Sequence, residues 1–142
     1  MFATACHSIV DAAAGSLRYA SAGHPRPLHL HRKEAIVNPL AGANTPGPAL
    51  GLFADAVYPT QAAPVAADDV LLLFTDGLYE VFNPSAGDQF GKSRLLATAR
   101  QHLNLPPEQL CDAVMREVRQ FGGSSDFADD VCLLSVHVAK LQ

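Results

Sequence analysis

Two acidic positions sit where apolar runs end or begin. In VLLLFTDGLYE, residues 70–80, five apolar residues lead straight into Thr75-Asp76-Gly77. In DFADDVCLL, residues 126–134, Asp129 and Asp130 immediately precede another apolar run. A carboxylate delivered by a buried strand must be paired, hydrogen-bonded or bound to a cation, because burying an isolated charge is costly. In an antiparallel pair the end of one strand lies beside the start of its neighbour, so Asp76 and Asp129 can be adjacent. Two facing carboxylates repel unless a proton or a cation sits between them. Oxygen ligands select magnesium, manganese or calcium over zinc or copper. Gly77 would let the backbone turn tightly or approach a neighbour closely. Asp-Gly and Asp-Asp are also ordinary turn residues, so spacing alone leaves a turn and a metal site both open.

Other side chains are weaker candidates. His24 lies in Gly-His-Pro; imidazole titrates near neutrality, which suits a catalytic acid, but glycine and proline already account for a turn there. His29 and His31 share one face of a strand. A closed zinc site needs four ligands and no third is in view, so both are expected to face solvent. Cys6, Cys111 and Cys132 are an odd number without a CxxC pair, which fits buried thiols in a reducing compartment. Nothing in the chain pairs a serine or cysteine with histidine for nucleophilic catalysis. The loop TPGPALG, 45–51, reads equally as a substrate border and as plain surface.

The elements that must position these residues follow from periodicity. Phe2–Val10 and Leu17–Ala22 read as a hairpin. Pro27–Arg32 alternates and reads as a third strand. A long Ala-, Gly- and Pro-rich loop follows. Val57–Pro64 is expected at a sheet edge, since Pro59 and Pro64 bar a central place. Val70–Thr75 has no polar alternation, so it should be buried on both faces. NPSAGDQFG reads as a turn-rich connector. Helices are expected over Lys92–Leu103 and over Pro106–Phe121, the second carrying an apolar stripe of Leu110, Val114 and Val118. Val131–Val138 is the last strand. Strands, two helices and a strand make an α+β pattern with antiparallel pairing.

Composition excludes several classes. The chain has 142 residues, 49% hydrophobic and 17% charged, with a formal net charge of −4. That supports one domain with a real core. The lack of a basic run argues against nucleic acid and anionic membranes as partners, and the apolar runs are too short to span a bilayer. The N-terminus has no basic residue before Arg18 and carries Asp11, which does not fit a signal peptide; a cytoplasmic location is expected.

Several blocks together resemble a known family. MFATACHSIVDAAAGSLRYASAGHPRPL, PALGLF at 48–53, DDVLLLFTDGLYEVFNP, QFGKSRL and DDVCLL stand in one order across essentially the whole chain. They resemble the bacterial PPM phosphatase domain of the stage II sporulation protein E type, the prokaryotic branch of the type 2C protein phosphatases.

The resemblance implies an antiparallel β-sandwich flanked by helices. It implies hydrolysis of phosphoserine or phosphothreonine on a phosphorylated protein, such as an anti-sigma factor antagonist. It further implies two manganese or magnesium ions in the complete domain. On this reading Asp76 and Asp129 are metal ligands, and Gly77 and Asp130 support them. Tyr79 and Cys132 stand where threonine is common in the family. The family's Gly-Asp-Tyr-Tyr-Asp-like strand and Asp-Val-x-Gly-His-Gly turn have no counterpart here, so residues 1–142 are expected to be the C-terminal portion of a single phosphatase domain. Such a portion is expected to be incomplete for catalysis and to associate with itself through an open sheet edge. The alternative function is a non-catalytic phosphatase-like regulatory or interaction module.

Overall fold

The computed structural model describes residues 1–42, 47–124 and 127–141. Alternation of apolar and polar residues builds the first hairpin, β1 (Ala5–Asp11) and β2 (Ser16–Ala22). Strand β3 (Leu28–His31) turns through a short 3₁₀ segment, Arg32–Glu34, and the left-handed Ala35 into β4 (Ile36–Pro39). After a loop come β5 (Gln61–Pro64) and β6 (Val70–Phe74). A small hairpin, β7 (Phe82–Asn83) and β8 (Asp88–Gln89), leads to α1 (Gly91–Gln101), α2 (Pro107–Gly122) and the final β9 (Leu133–His137).

Two antiparallel sheets result, with strand orders β1-β2-β5 and β4-β3-β6-β9. Strand β6 is interior, flanked by β3 through Leu28↔Leu72 and by β9 through Phe74↔Leu133. The unbroken VLLLF run is explained by two cores. Val70, Leu72 and Phe74 pack towards the helices, whereas Leu71 faces the other sheet with Leu17, Tyr19 and Val138. As expected from the stripe, α2 buries Leu110, Val114 and Val118. It starts with Pro107 in the first turn, where no N–H is missed, and ends on left-handed Gly123, φ 71°, whose N–H returns to Arg119 O. Strand β5 lies at a sheet edge, as Pro64 requires.

Four expectations change. The cysteines are not fully buried thiols: Cys6 and Cys111 are half-buried and Cys132, at the open strand end, is exposed. The segment after Arg32 contains the edge strand β4 instead of continuing as loop, because pairing with β3 offsets its weak local preference. The NPSAGDQFG connector is a hairpin whose turn is built by Asn83 Oδ1, which accepts the N–H groups of Ser85 and Ala86. His29 is not at the surface: it is 3% exposed and hydrogen-bonded to buried Asp69. The start of the TPGPALG loop, Thr45 and Pro46, lies outside the described residues.

Candidate metal centre at the strand ends

Strand β6 ends at Phe74, and Asp76–Leu78 form one 3₁₀ turn. That turn closes on its own backbone, with the N–H groups of Tyr79 and Glu80 both donating to Asp76 O. The segment before β9 is joined to this turn by Thr75. Its hydroxyl donates to Asp130 O at 3.0 Å and accepts the Cys132 N–H at 2.9 Å, while its own N–H donates to Cys132 O at 3.1 Å. The Asp129–Asp130 backbone therefore runs directly over Gly77. A Cβ at residue 77 would stand 2.6 Å from Asp130 O and 3.4 Å from the Asp129 carbonyl carbon.

All four anticipated residues thus meet at one end of the larger sheet. Both Asp76 and Asp129 are exposed, and each carboxylate accepts the N–H of the next residue, Gly77 at 3.1 Å and Asp130 at 2.7 Å. Each carboxylate keeps further lone pairs for a ligand. Asp130 contributes through its backbone carbonyl. Thr75 was not singled out from the sequence; a threonine directly before a strand-end aspartate is the signal that could have found it, since its hydroxyl can serve neighbouring backbone.

Asp76 also borders a cavity of about 360 Å³ between the β2–β3 connector and α1. Its wall includes His24, Arg26, Tyr79, Lys92 and Ser93. His24 bonds Thr4 through Nδ1 at 3.3 Å, and its carbonyl accepts the Ser21 hydroxyl, so it does hold the turn. Burial lowers its pKa, against the pull of the Asp76 carboxylate. Burial raises the pKa of Tyr79, and the charges of Asp76 and Glu80 add to the effect. Lys92 Nζ lies 5.1 Å from the centre of the Tyr79 ring, a cation–π distance. Arg26 spends one Nη on Leu40 O and Gly42 O, and its Nε is buried without a hydrogen-bond partner among the described residues. The site thus combines exposed hard oxygen donors with cationic side chains on a concave wall, which suits a cation and an anion bound side by side.

The architecture has counterparts among solved structures. The SiaA-PP2C domain of Pseudomonas aeruginosa superposes with a TM-score of 0.72 at 24% identity, over 87% of this chain and 46% of that one. The RsbU and RsbW domains of a Mycobacterium tuberculosis protein give 0.72 at 22% identity, over 98% and 37%. A Bacillus subtilis SpoIIE structure holding the PP2C phosphatase domain and a fragment of the regulatory domain gives 0.73 at 20% identity, over 95% and 37%. The chain therefore spans less than half of each of these structures. Comparison with curated proteins gives no match. No helix among the described residues is long and apolar enough to cross a membrane. The antiparallel sheets and paired helices are those of PP2C phosphatase folds, and the model of one family, Stage II sporulation protein E (SpoIIE), matches residues 1–139. With that match over nearly its whole length, the chain belongs to the SpoIIE family.

Proposed function

We propose that this chain supplies part of a manganese- or magnesium-dependent protein serine/threonine phosphatase site. In this reading Asp76 and Asp129 are metal ligands, Gly77 and Asp130 support them, and residues 1–142 are the C-terminal portion of a single phosphatase domain. The substrate is a phosphorylated cytoplasmic regulator such as an anti-sigma factor antagonist. One observation supports the reading: the Thr75 hydroxyl ties the Asp130 carbonyl and the Cys132 amide to the end of β6, so the Asp129–Asp130 segment runs beside the Asp76–Gly77 turn.

The donor set fits the cation. Carboxylate oxygens suit hard divalent ions, and no thiolate or imidazole is required. When bound, such ions neutralise phosphate charge and make water a nucleophile near neutral pH. This chain's own residues hold the strand ends in place. Gly77 lets the 129–130 backbone approach, and Thr75 fixes its register. Lys92, on the cavity wall beside Asp76, offers a cation to a phosphoryl oxygen. The cavity gives a phosphorylated side chain room to enter from the surface.

The test is phosphate release from a phosphoserine protein with manganese, in a version of full family length. Asp76→Asn and Asp129→Asn should each lower turnover by at least about a hundredfold, since ligand charge and geometry are both lost, with unchanged circular dichroism. Turnover near wild type in either variant would reject the assignment. A full-length wild type with no turnover would favour the non-catalytic module.

A further inference from the structure

A second group of metal-ligating side chains lies at the opposite end of the same sheet. Asp69 precedes β6 and Asp76 follows it, so the two groups are roughly 20 Å apart at about 3.3 Å of rise per residue. His29 Nε2 is 2.8 Å from Asp69 Oδ2, and His31 Nδ1 is 3.6 Å from the same oxygen. One ligand atom from each of the three residues lies within 4.8 Å of the other two. Among the described residues this is the one place where three such side chains converge.

We propose that His29, His31 and Asp69 form a binding site for a zinc-class divalent transition metal, separate from the strand-end aspartates. In a tetrahedral site with bonds of about 2.0–2.1 Å, ligand atoms stand about 3.3 Å apart. The two distances to Asp69 bracket that value, and all three ligand atoms lie within 4.8 Å of one another, so a metal can be received once the two imidazoles turn apart. Two imidazoles and one carboxylate favour zinc or cobalt over magnesium or manganese. Three protein ligands leave the fourth position open to water, the pattern of an accessible zinc site.

The surroundings support the same reading. Asp69 is 2% exposed, and its position is set by the Ala66 N–H, 2.9 Å from Oδ2. Such a bond to a ligand from its neighbours orients it before the metal arrives. The adjacent charges are taken: Asp68 holds His137 at 2.9 Å and Arg32 at 3.5 Å, which leaves Asp69 to the two histidines. The imidazole rings are tilted by 34° with centroids 3.7 Å apart, so His31 must swing outward to receive an ion, and its side chain, 27% exposed, has room to do so and gives the ion a path in. His29 would ligate through Nε2 with its proton on Nδ1, and His31 through Nδ1 with its proton on Nε2. Both rings bind neutral, and the His29–Asp69 hydrogen bond is exchanged for two metal bonds.

Zinc and cobalt binding to the tag-free 142-residue chain tests this, by competition with a chromophoric chelator and by visible absorption of the cobalt form. The expected result is one zinc per chain, a tetrahedral cobalt spectrum and a rise in melting temperature with zinc. His31→Ala leaves the buried His29–Asp69 pair intact and should weaken zinc by at least about tenfold, because loss of a mere outer-shell partner already costs 10–100-fold. Asp69→Asn should weaken it as well, whereas Asp76→Asn/Asp129→Asn should leave it unchanged. The proposal is overturned by absence of zinc binding at micromolar metal, by unchanged affinity in His31→Ala, or by loss of binding in the strand-end double variant. Because that double variant separates the two sites, failure here leaves the phosphatase reading standing.

Discussion

Gly77 shows how one residue sets the geometry of the strand-end site. Nothing in its own backbone demands glycine; the demand comes from across the gap, where the Asp130 carbonyl oxygen occupies the space a Cβ would take. An atom of backbone cannot rotate aside as a side chain can. Gly77→Ala should therefore push the 129–130 segment off the turn, costing about 1–3 kcal/mol as overpacking typically does. The Thr75–Asp130 hydrogen bond at 3.0 Å should stretch with it. Urea unfolding measures the first effect, and manganese affinity of a full-length version measures the second. An alanine variant with wild-type stability and affinity would mean that the two segments are not in contact in solution.

At the scale of elements, the two helices are joined by a polar link at the rim of their apolar interface. Glu117 on α2 accepts from Thr98 Oγ1 at 2.8 Å and pairs with His102, just past α1, at 2.5 Å. Burial works against the Glu117 charge, but the hydrogen bonds from His102 and Thr98 outweigh it, and its pKa lies below the ordinary 4.5. A carboxyl whose pKa is depressed by folding contributes stability above the unfolded value and loses it as pH falls through the folded one. Stability should thus decline as pH drops below about 4.5. In Glu117→Gln part of this decline should disappear, at the cost of lower stability near neutrality. Urea midpoints across that pH range check it; parallel curves for the two proteins would count against the link.

The whole molecule is covered unevenly. The helices shield one face of the larger sheet and the smaller sheet shields the other, while the outer face of the smaller sheet meets solvent. Ile9 pairs with Arg18, on the face opposite buried Leu17, and is 45% exposed. Strand β1 is an edge, and Phe2 and Val10 add further exposed apolar surface. Unpaired edge groups beside apolar side chains invite pairing with another chain. Light scattering of the 142-residue chain should show dimers or larger species, and Ile9→Lys should shift them towards monomer. The same preparation should bind manganese weakly and turn over little substrate, because hard cations seek about six oxygen ligands and the strand ends provide two carboxylates. Tight binding of two ions with robust turnover by a monomer would overturn this prediction.

The sequence by itself determined the doubly buried strand β6, the amphipathic α2 and the aspartates at two strand ends. Each of these is written in a local pattern: an unbroken apolar run, a 3.6-residue stripe, a charge at a boundary. Periodicity records which faces an element buries, and here the buried faces outnumbered any alternative pairing. Tertiary structure alone decided the rest. Ile36–Pro39 became a strand because β3 offered it partners, and the residues flanking the turn signalled by NPSAGDQFG paired as β7 and β8. His29 and His31 look solvent-facing until Asp69, 40 residues from His29 along the chain, is brought against them. Thr75 acquires its role from Asp130 and Cys132, 55 and 57 residues away. A side chain's periodicity states which way it points; the partner it meets depends on strand order and register, which only the assembled sheet specifies.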